Sequence, residues 1–225
     1  MSGPVIGFVL FENVTQLDLT GPLQILSRTP GATTVIAART LDPVATDAVV
    51  KLSASHDFAN CPQSDVLCVP GGPGVLPALE DAATLDFIAR QAAGARYVTS
   101  VCTGALLLGA AGLLKGRRAT THWAYRDLLP AFGAIPAEGR VVRDGNVFTG
   151  GGVTAGMDFG LTLLAELAGE AVARQIQLAV EYDPAPPFAS GSPATASAET
   201  LSVVQPFYEA RVADYRDVVA RITQA

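Results

Sequence analysis

The sequence predicts an α/β domain, a doubly wound and mainly parallel sheet with helices on both faces. Three observations carry the prediction. Short apolar runs such as Val5 to Phe11 and Val66 to Val69 lack polar alternation, the pattern of a parallel strand buried on both faces. Stretches of helical composition separate these runs, and alternation of strand and helix is what a parallel sheet requires. Finally, predicted strands end in unusual corners at Gly71-Gly72, Cys102 and Gly150-Gly151-Gly152. All of these corners lie at strand carboxyl ends, the side on which such folds place their sites.

In chain order, Val5 to Phe11 is the first strand. After the loop Glu12-Asn13-Val14-Thr15, Leu17 to Leu26 is predicted as a helix, interrupted by Gly21-Pro22, with Asp18 in its first turn. An acid there complements the helix dipole, and spacing alone gives Asp18 no further role. Thr33 to Ala38 is a second strand, and Pro43 to Leu52 alternates weakly, as a small hairpin does. His56 stands in a polar stretch and is read as a surface residue. Val66 to Val69 is a third strand, with Cys68 in the core. It runs into Pro70-Gly71-Gly72-Pro73-Gly74, which either presents bare N–H groups to a ligand crevice or is a tight strand-to-helix turn; it is neither a dinucleotide fingerprint nor a Walker loop.

Asp81 to Ala93 is predicted as a helix with Leu85, Ile88 and Ala92 on one side. Ala95 to Val98 begins the next strand, and Ala105 to Ala111 the helix after it, with Cys102 on the corner between. There the thiol meets free N–H groups and the positive end of a helix dipole, which favour the thiolate. The alternative is a structural cysteine packed as a small hydrophobe. Convergence of the three corners favours the reactive reading. Arg118 to Thr121 is a short strand, and His122-Trp123-Ala124-Tyr125 opens a helix with His122 near its start. Asp144-Gly145-Asn146 joins two β-rich runs as a hairpin turn. Thr154 to Ala168 and Ala171 to Val180 are helices. The whole chain, 1–225, is read as one domain, with residues 183–196 an extended connection and residues 198–223 a helical C-terminal arm.

Composition narrows the classes. Of 225 residues 49% are apolar and 16% charged, so a sizeable core forms and global disorder is excluded. The net charge of −6 and the short basic cluster Lys115-Gly116-Arg117-Arg118 argue against a nucleic-acid partner. No apolar run reaches the ~20 residues of a membrane span. Met1-Ser2-Gly3-Pro4 lacks the basic start of a secretory leader. Three cysteines without metal-ligand spacing point to a reduced, cytoplasmic protein with neither a disulfide framework nor a metal site.

The series Val69-Pro70-Gly71-Gly72, Thr99-Ser100-Val101-Cys102-Thr103-Gly104 and Thr120-Thr121-His122-Trp123-Ala124 resembles the ThiJ/PfpI superfamily, and within it the isocyanide hydratases. Gln16-Leu17-Asp18-Leu19-Thr20-Gly21-Pro22 matches their acid region, and the likeness runs through nearly the whole chain except its C-terminal end. The resemblance implies a flavodoxin-like fold, a homodimer, and a cofactor-free enzyme that adds water to an isocyanide, R–N≡C, to give an N-substituted formamide. The family's nucleophile falls on Cys102, its acid on Asp18, and the hydroxyl after the nucleophile on Thr103. A thiolate adds to the isocyanide carbon, a nearby acid protonates that carbon, and water opens the resulting thioimidate. Backbone groups around Gly72, Gly152 and Val153, with the His122 side chain, are the expected substrate-binding groups. This mechanism requires Asp18 to carry a raised pKa. The protease-like branch has a histidine directly after the cysteine, where this chain has Thr103. The glyoxalase-like and deglycase branch usually carries glutamate where this chain has Asp18, but its histidine matches His122, so that activity stays an alternative. Two further classes use the same pattern: a ligand domain of AraC-type regulators, and a redox sensor in which Cys102 oxidises.

Overall fold

The computed structural model describes residues 3–224; Met1, Ser2 and Ala225 lie outside them, so the expectation of no leader at Met1 and Ser2 falls outside the described residues. The strands are β1 (Val5–Val9), β2 (Thr33–Ala38), β3 (Val44–Ala45), β4 (Lys51–Leu52), β5 (His56–Asp57), β6 (Val66–Val69), β7 (Tyr97–Val101), β8 (Arg118–Ala119), β9 (Ile135–Pro136), β10 (Val141–Asp144) and β11 (Val147–Gly150). The α-helices are α1 (Gln16–Leu26), α2 (Val75–Ala78), α3 (Ala82–Gly94), α4 (Gly104–Ala110), α5 (Ala155–Ala168), α6 (Glu170–Ala179) and α7 (Ala198–Gln224).

Seven strands form the main sheet in the order β10-β11-β7-β6-β1-β2-β5. Every pair is parallel except the β10–β11 hairpin. Taken alone, β2-β1-β6-β7-β11 follow the flavodoxin-like order, in which the strand direction of winding reverses between β1 and β6. Register brings the strand ends level: Phe8 pairs with Cys68, Cys68 with Thr99, and Val101 with Gly150. The segments after β1, β6, β7 and β11 therefore meet at one edge.

Each face of the sheet carries its own core. Ile6, Phe8, Leu19, Ile25, Phe159 and Leu163 pack under α1, α5 and α6. Leu67, Val69, Phe87, Ile88, Leu106 and Leu107 pack under α3 and α4, and Val212, Tyr215, Val218 and Val219 of α7 join that cluster. The C-terminal arm thus folds against its own domain.

Two local points add to the sequence reading. His56, half-buried, sits at the sheet edge in β5, paired with Ala37 of β2, where polar sequence hides a short pairing segment. The segment after His122 is a 3₁₀ helix, Trp123–Phe132, capped by the His122 side chain accepting from the Ala124 N–H; Pro130 inside it removes a donor that a regular α-helix would use.

The position of α1 depends on close approach to α5. A Cβ on Gly156 would fall 2.9 Å from Cδ of Pro22, and one on Gly160 would fall 3.1 Å from Cβ of Ile25. Gly156→Val should force the helices apart and cost about 1–3 kcal/mol, the usual penalty of overpacking. Thermal denaturation should show a Tm lower by roughly 2–4 °C per kcal/mol for a domain of this size. Gly191→Ala, where a Cβ meets nothing within 4 Å, is the matched control and should leave Tm in place. Equal Tm values for both variants would show that the helices have room to spare.

Candidate active site

Cys102 opens the two-residue corner, Cys102-Thr103, between β7 and α4, with φ of 53°, a left-handed conformation for a residue with a Cβ. The corner is tied on both sides. The Cys102 N–H donates to the carbonyls of Gly150 (3.1 Å) and Gly151 (2.8 Å), and its carbonyl accepts from Thr121 Oγ1 at 2.7 Å. Gly104 is required beneath the corner, since a Cβ there would lie 2.3 Å from the Val69 carbonyl oxygen. This strain, of order 1–3 kcal/mol, persists because the neighbouring strands over-determine it.

Asp18 reaches the same corner from α1, across the point where the sheet winding reverses. It is only 1% exposed, and its Oδ2 accepts from the Gly71 N–H at 3.0 Å. A side chain at Gly71 would collide with Asp18 Oδ2 and with both Thr103 N and Oγ1, so that glycine is the window through which acid and elbow approach. Asp18 Oδ1 is buried without a geometric hydrogen-bond partner, and the Cys102 thiol is the group that interacts with this carboxyl. The N-terminus of α1 is fixed from outside: Asp47 accepts from Thr15 Oγ1 (2.8 Å) and from the Gln16 N–H (3.1 Å).

Burial raises the Asp18 pKa from 3.8 to about 7, against the lowering effect of the Gly71 N–H. Burial, followed by the charge of Asp18, also pushes the Cys102 thiol well above its usual value, and the backbone N–H and hydroxyl of Thr103 offset only part of this. The expectation of a thiolate stabilised by the helix start is therefore corrected. The helix α4 is only 7 residues long, Cys102 is 6% exposed, and an acid lies beside it. At neutral pH the resting pair holds a protonated thiol next to a carboxyl poised between its two forms.

Cys102, Thr103, Gly72, His122 and Val153 line one cleft of about 280 Å³, and Asp18 stands behind its floor. The Gly72 N–H is taken up by Thr103 Oγ1 at 3.0 Å, so Gly72 meets the cleft through its backbone while that hydroxyl holds its donor. Gly152 is not in the lining; its Cα faces the His122 ring, which a Cβ would meet at 3.2 Å. Among the described residues no acceptor takes the N–H of Gly152 or Val153. Burial lowers the His122 pKa to about 4, so the ring is neutral, with Nδ1 accepting and Nε2 left as donor. Sequence reasoning missed Thr15, Tyr125, Tyr208 and Tyr215, which also line the cleft. The spacing of Tyr208 and Tyr215, two turns apart on a predicted helix, was the available signal. Among the described residues no cluster of His, Cys, Asp and Glu side chains could hold a metal ion, and no helix is long and apolar enough to cross a membrane.

Fold and site together define a class: flavodoxin-like proteins with a strained cysteine at a strand-to-helix corner and an acid supplied across the reversal point. The chain belongs to the DJ-1/PfpI family, whose model matches residues 5–166. It is 61% identical over 191 residues to an isonitrile hydratase from Pseudomonas putida, covering 85% of this chain and 84% of that protein. A ThiJ/PfpI family protein from Pseudomonas syringae superposes with a TM-score of 0.95 at 45% identity, over 97% of this chain and 91% of that one. A DJ-1 superfamily protein from Salmonella typhimurium is 27% identical with a TM-score of 0.71, covering 81% of this chain and all of its own.

The Asp18 shift makes a prediction about stability. A carboxyl whose folded pKa is about 7 against 3.8 favours folding below pH 4 and loses that contribution as pH rises through 7. Asp18→Asn retains an acceptor for Gly71 and does not titrate. Wild type should lose about 4 kcal/mol relative to Asp18→Asn between pH 4 and 8, read by urea denaturation across that range. His122 contributes the opposite slope, stability lost as pH falls from 6.5 toward 4, but equally in both proteins. A difference that stays flat with pH would mean that Asp18 is ionised throughout.

Proposed function

We propose that the chain is an isocyanide hydratase that works through a covalent cysteine thioimidate. The observation that carries this reading is the buried pairing of Asp18 with Cys102 across Gly71, in a chain so similar to an isonitrile hydratase. The terminal carbon of R–N≡C enters above Cys102. The thiol proton moves to the Asp18 carboxylate as sulfur bonds to that carbon, and the same proton then passes to the carbon, giving R–N=CH–S-Cys. Asp18, again a carboxylate, takes a proton from water as the hydroxide attacks the carbon and passes that proton to the substrate nitrogen, which returns the carboxylate. Collapse of R–NH–CH(OH)–S-Cys breaks the carbon–sulfur bond, releases R–NH–CHO and returns the thiol. Water and isocyanide are consumed one for one, and no cofactor takes part. Thr103 faces the sulfur with its N–H and hydroxyl and stabilises charge on it as the carbon–sulfur bond forms or breaks. The free N–H of Val153 and the Nε2–H of His122 serve the developing charge on the substrate.

The redox-sensor reading requires an accessible thiol of low pKa, whereas Cys102 is buried and its pKa is raised. The reading further takes the protein as a cytoplasmic homodimer, and the exposed Leu178, Phe188, Val203 and Phe207 supply apolar surface for a second copy. Light scattering at micromolar concentration should give twice the chain mass; a monomer mass would remove that part of the proposal.

The function is tested by following loss of an isocyanide and appearance of its formamide. Cys102→Ala should fold normally and turn over nothing, while Cys61→Ser, a half-buried thiol outside the cleft, should retain full activity. Asp18→Asn should slow single turnover by roughly 10²–10⁴-fold, the contribution of a lost general acid and base. Full activity in Cys102→Ala would overturn the mechanism.

A further inference from the structure

Helix α7 lies outside the residues that match the family model, yet it forms one wall of the cleft. Its Tyr215 is 4% exposed, and its hydroxyl donates to the Gly72 carbonyl at 3.4 Å. Arg221 anchors the far end to Glu80 at 2.8 Å. With the helix held there, Tyr208 becomes the hub of an aromatic cluster. Its ring centroid lies 4.8 Å from His122 at an interplanar angle of 34°. It also lies 5.2 Å from Trp123 and 6.2 Å from Tyr125, both edge-on. Pro73, Leu76 and Cys102 complete the lining beside these rings. The charged groups at the mouth, Arg211 and Asp214, are of opposite sign, which gives no net attraction for an ionised substituent.

We propose that Tyr208 is a specificity-determining residue, and that the cleft selects isocyanides bearing an uncharged aromatic substituent on nitrogen. This rests on the hydratase reading. The volume, about 280 Å³, is ample for an aromatic ring on the isocyanide nitrogen. With the isocyanide carbon at Cys102, the N-substituent points outward between α2 and α7, where the Tyr208 and Tyr125 rings offer edges and faces. Aromatic pairs in such geometry gain beyond their buried area because positive ring edges meet negative faces.

The test compares phenyl and cyclohexyl isocyanide, equal in ring size and different in aromaticity, in wild type, Tyr208→Phe and Tyr208→Leu. The quantity read is the phenyl-to-cyclohexyl ratio of kcat/KM in each variant divided by the wild-type ratio, so that intrinsic reactivity cancels. Tyr208→Phe should keep the ratio, and Tyr208→Leu should lower it roughly two- to tenfold. A ratio unchanged in Tyr208→Leu, or lowered as much in Tyr208→Phe, would overturn the proposal. Failure of the hydratase reading is separable. If neither isocyanide is consumed by wild type, that reading falls, and binding decides the present one. Trp123 is the only tryptophan of the chain and borders Tyr208, so its fluorescence reports occupancy in Cys102→Ala. Tighter binding of phenyl than of cyclohexyl isocyanide, lost on adding Tyr208→Leu, supports the proposal, and equal binding refutes it.

Discussion

A carboxyl with one protein hydrogen bond, held at 1% exposure beside a thiol, is an expensive group to bury. The surrounding structure is arranged to keep it there. The Gly71 N–H fixes one oxygen, Asp47 fixes the start of α1 from the solvent side, and Gly156 and Gly160 let α5 press α1 toward the sheet. These contacts hold the carboxyl in position; only the Gly71 N–H also favours its ionised form, and burial outweighs it. The result is a carboxyl near 7 at a site where an exposed aspartate would be fully charged.

The same argument explains why the acid and the cysteine come from segments far apart in the chain. In flavodoxin-like order the crossovers after β1 and β6 leave in opposite directions, which opens a crevice at the strand ends. The turn after β6 lies between β1 and β7, so the groups following those strands must meet across it. Any side chain at Gly71 would separate them, and Gly72 adopts φ of 130°, open mainly to glycine. The Gly-Gly turn is thus a spacer set by geometry, and both of its N–H groups are committed to Asp18 and Thr103.

Much of this was legible in the sequence because strand cores are written locally. Val5 to Val9 and Val66 to Val69 are apolar throughout, and the cysteine corner follows β7 directly. The acid was not legible from spacing: an aspartate in a first helical turn looks the same whether it faces solvent or a thiol, and the resemblance to known relatives supplied its role. The sign of the Cys102 shift was also hidden, since a local helix start argues for a thiolate while burial is a tertiary property. The α7 wall escaped for a related reason. Its tyrosines lie more than a hundred residues from the elbow, and no local pattern shows on which face of the sheet a terminal helix docks.

A raised thiol pKa and nucleophilic catalysis are compatible when the base is internal. With an exposed cysteine the thiolate must be present before substrate arrives, so a low pKa helps. Here the thiol proton has an acceptor within the site, and in the proposed reaction the same proton is needed on the substrate carbon a moment later. A carboxyl near 7 is matched to both transfers: basic enough to take the proton as sulfur attacks, acidic enough to give it up to the carbon. An aspartate at its ordinary value would be too weak a base for the first transfer, and a permanently protonated one could not act as base at all. The desolvation that raises both groups also keeps bulk water from competing for the proton, so the cost of burying Asp18 is the source of its suitability for the chemistry.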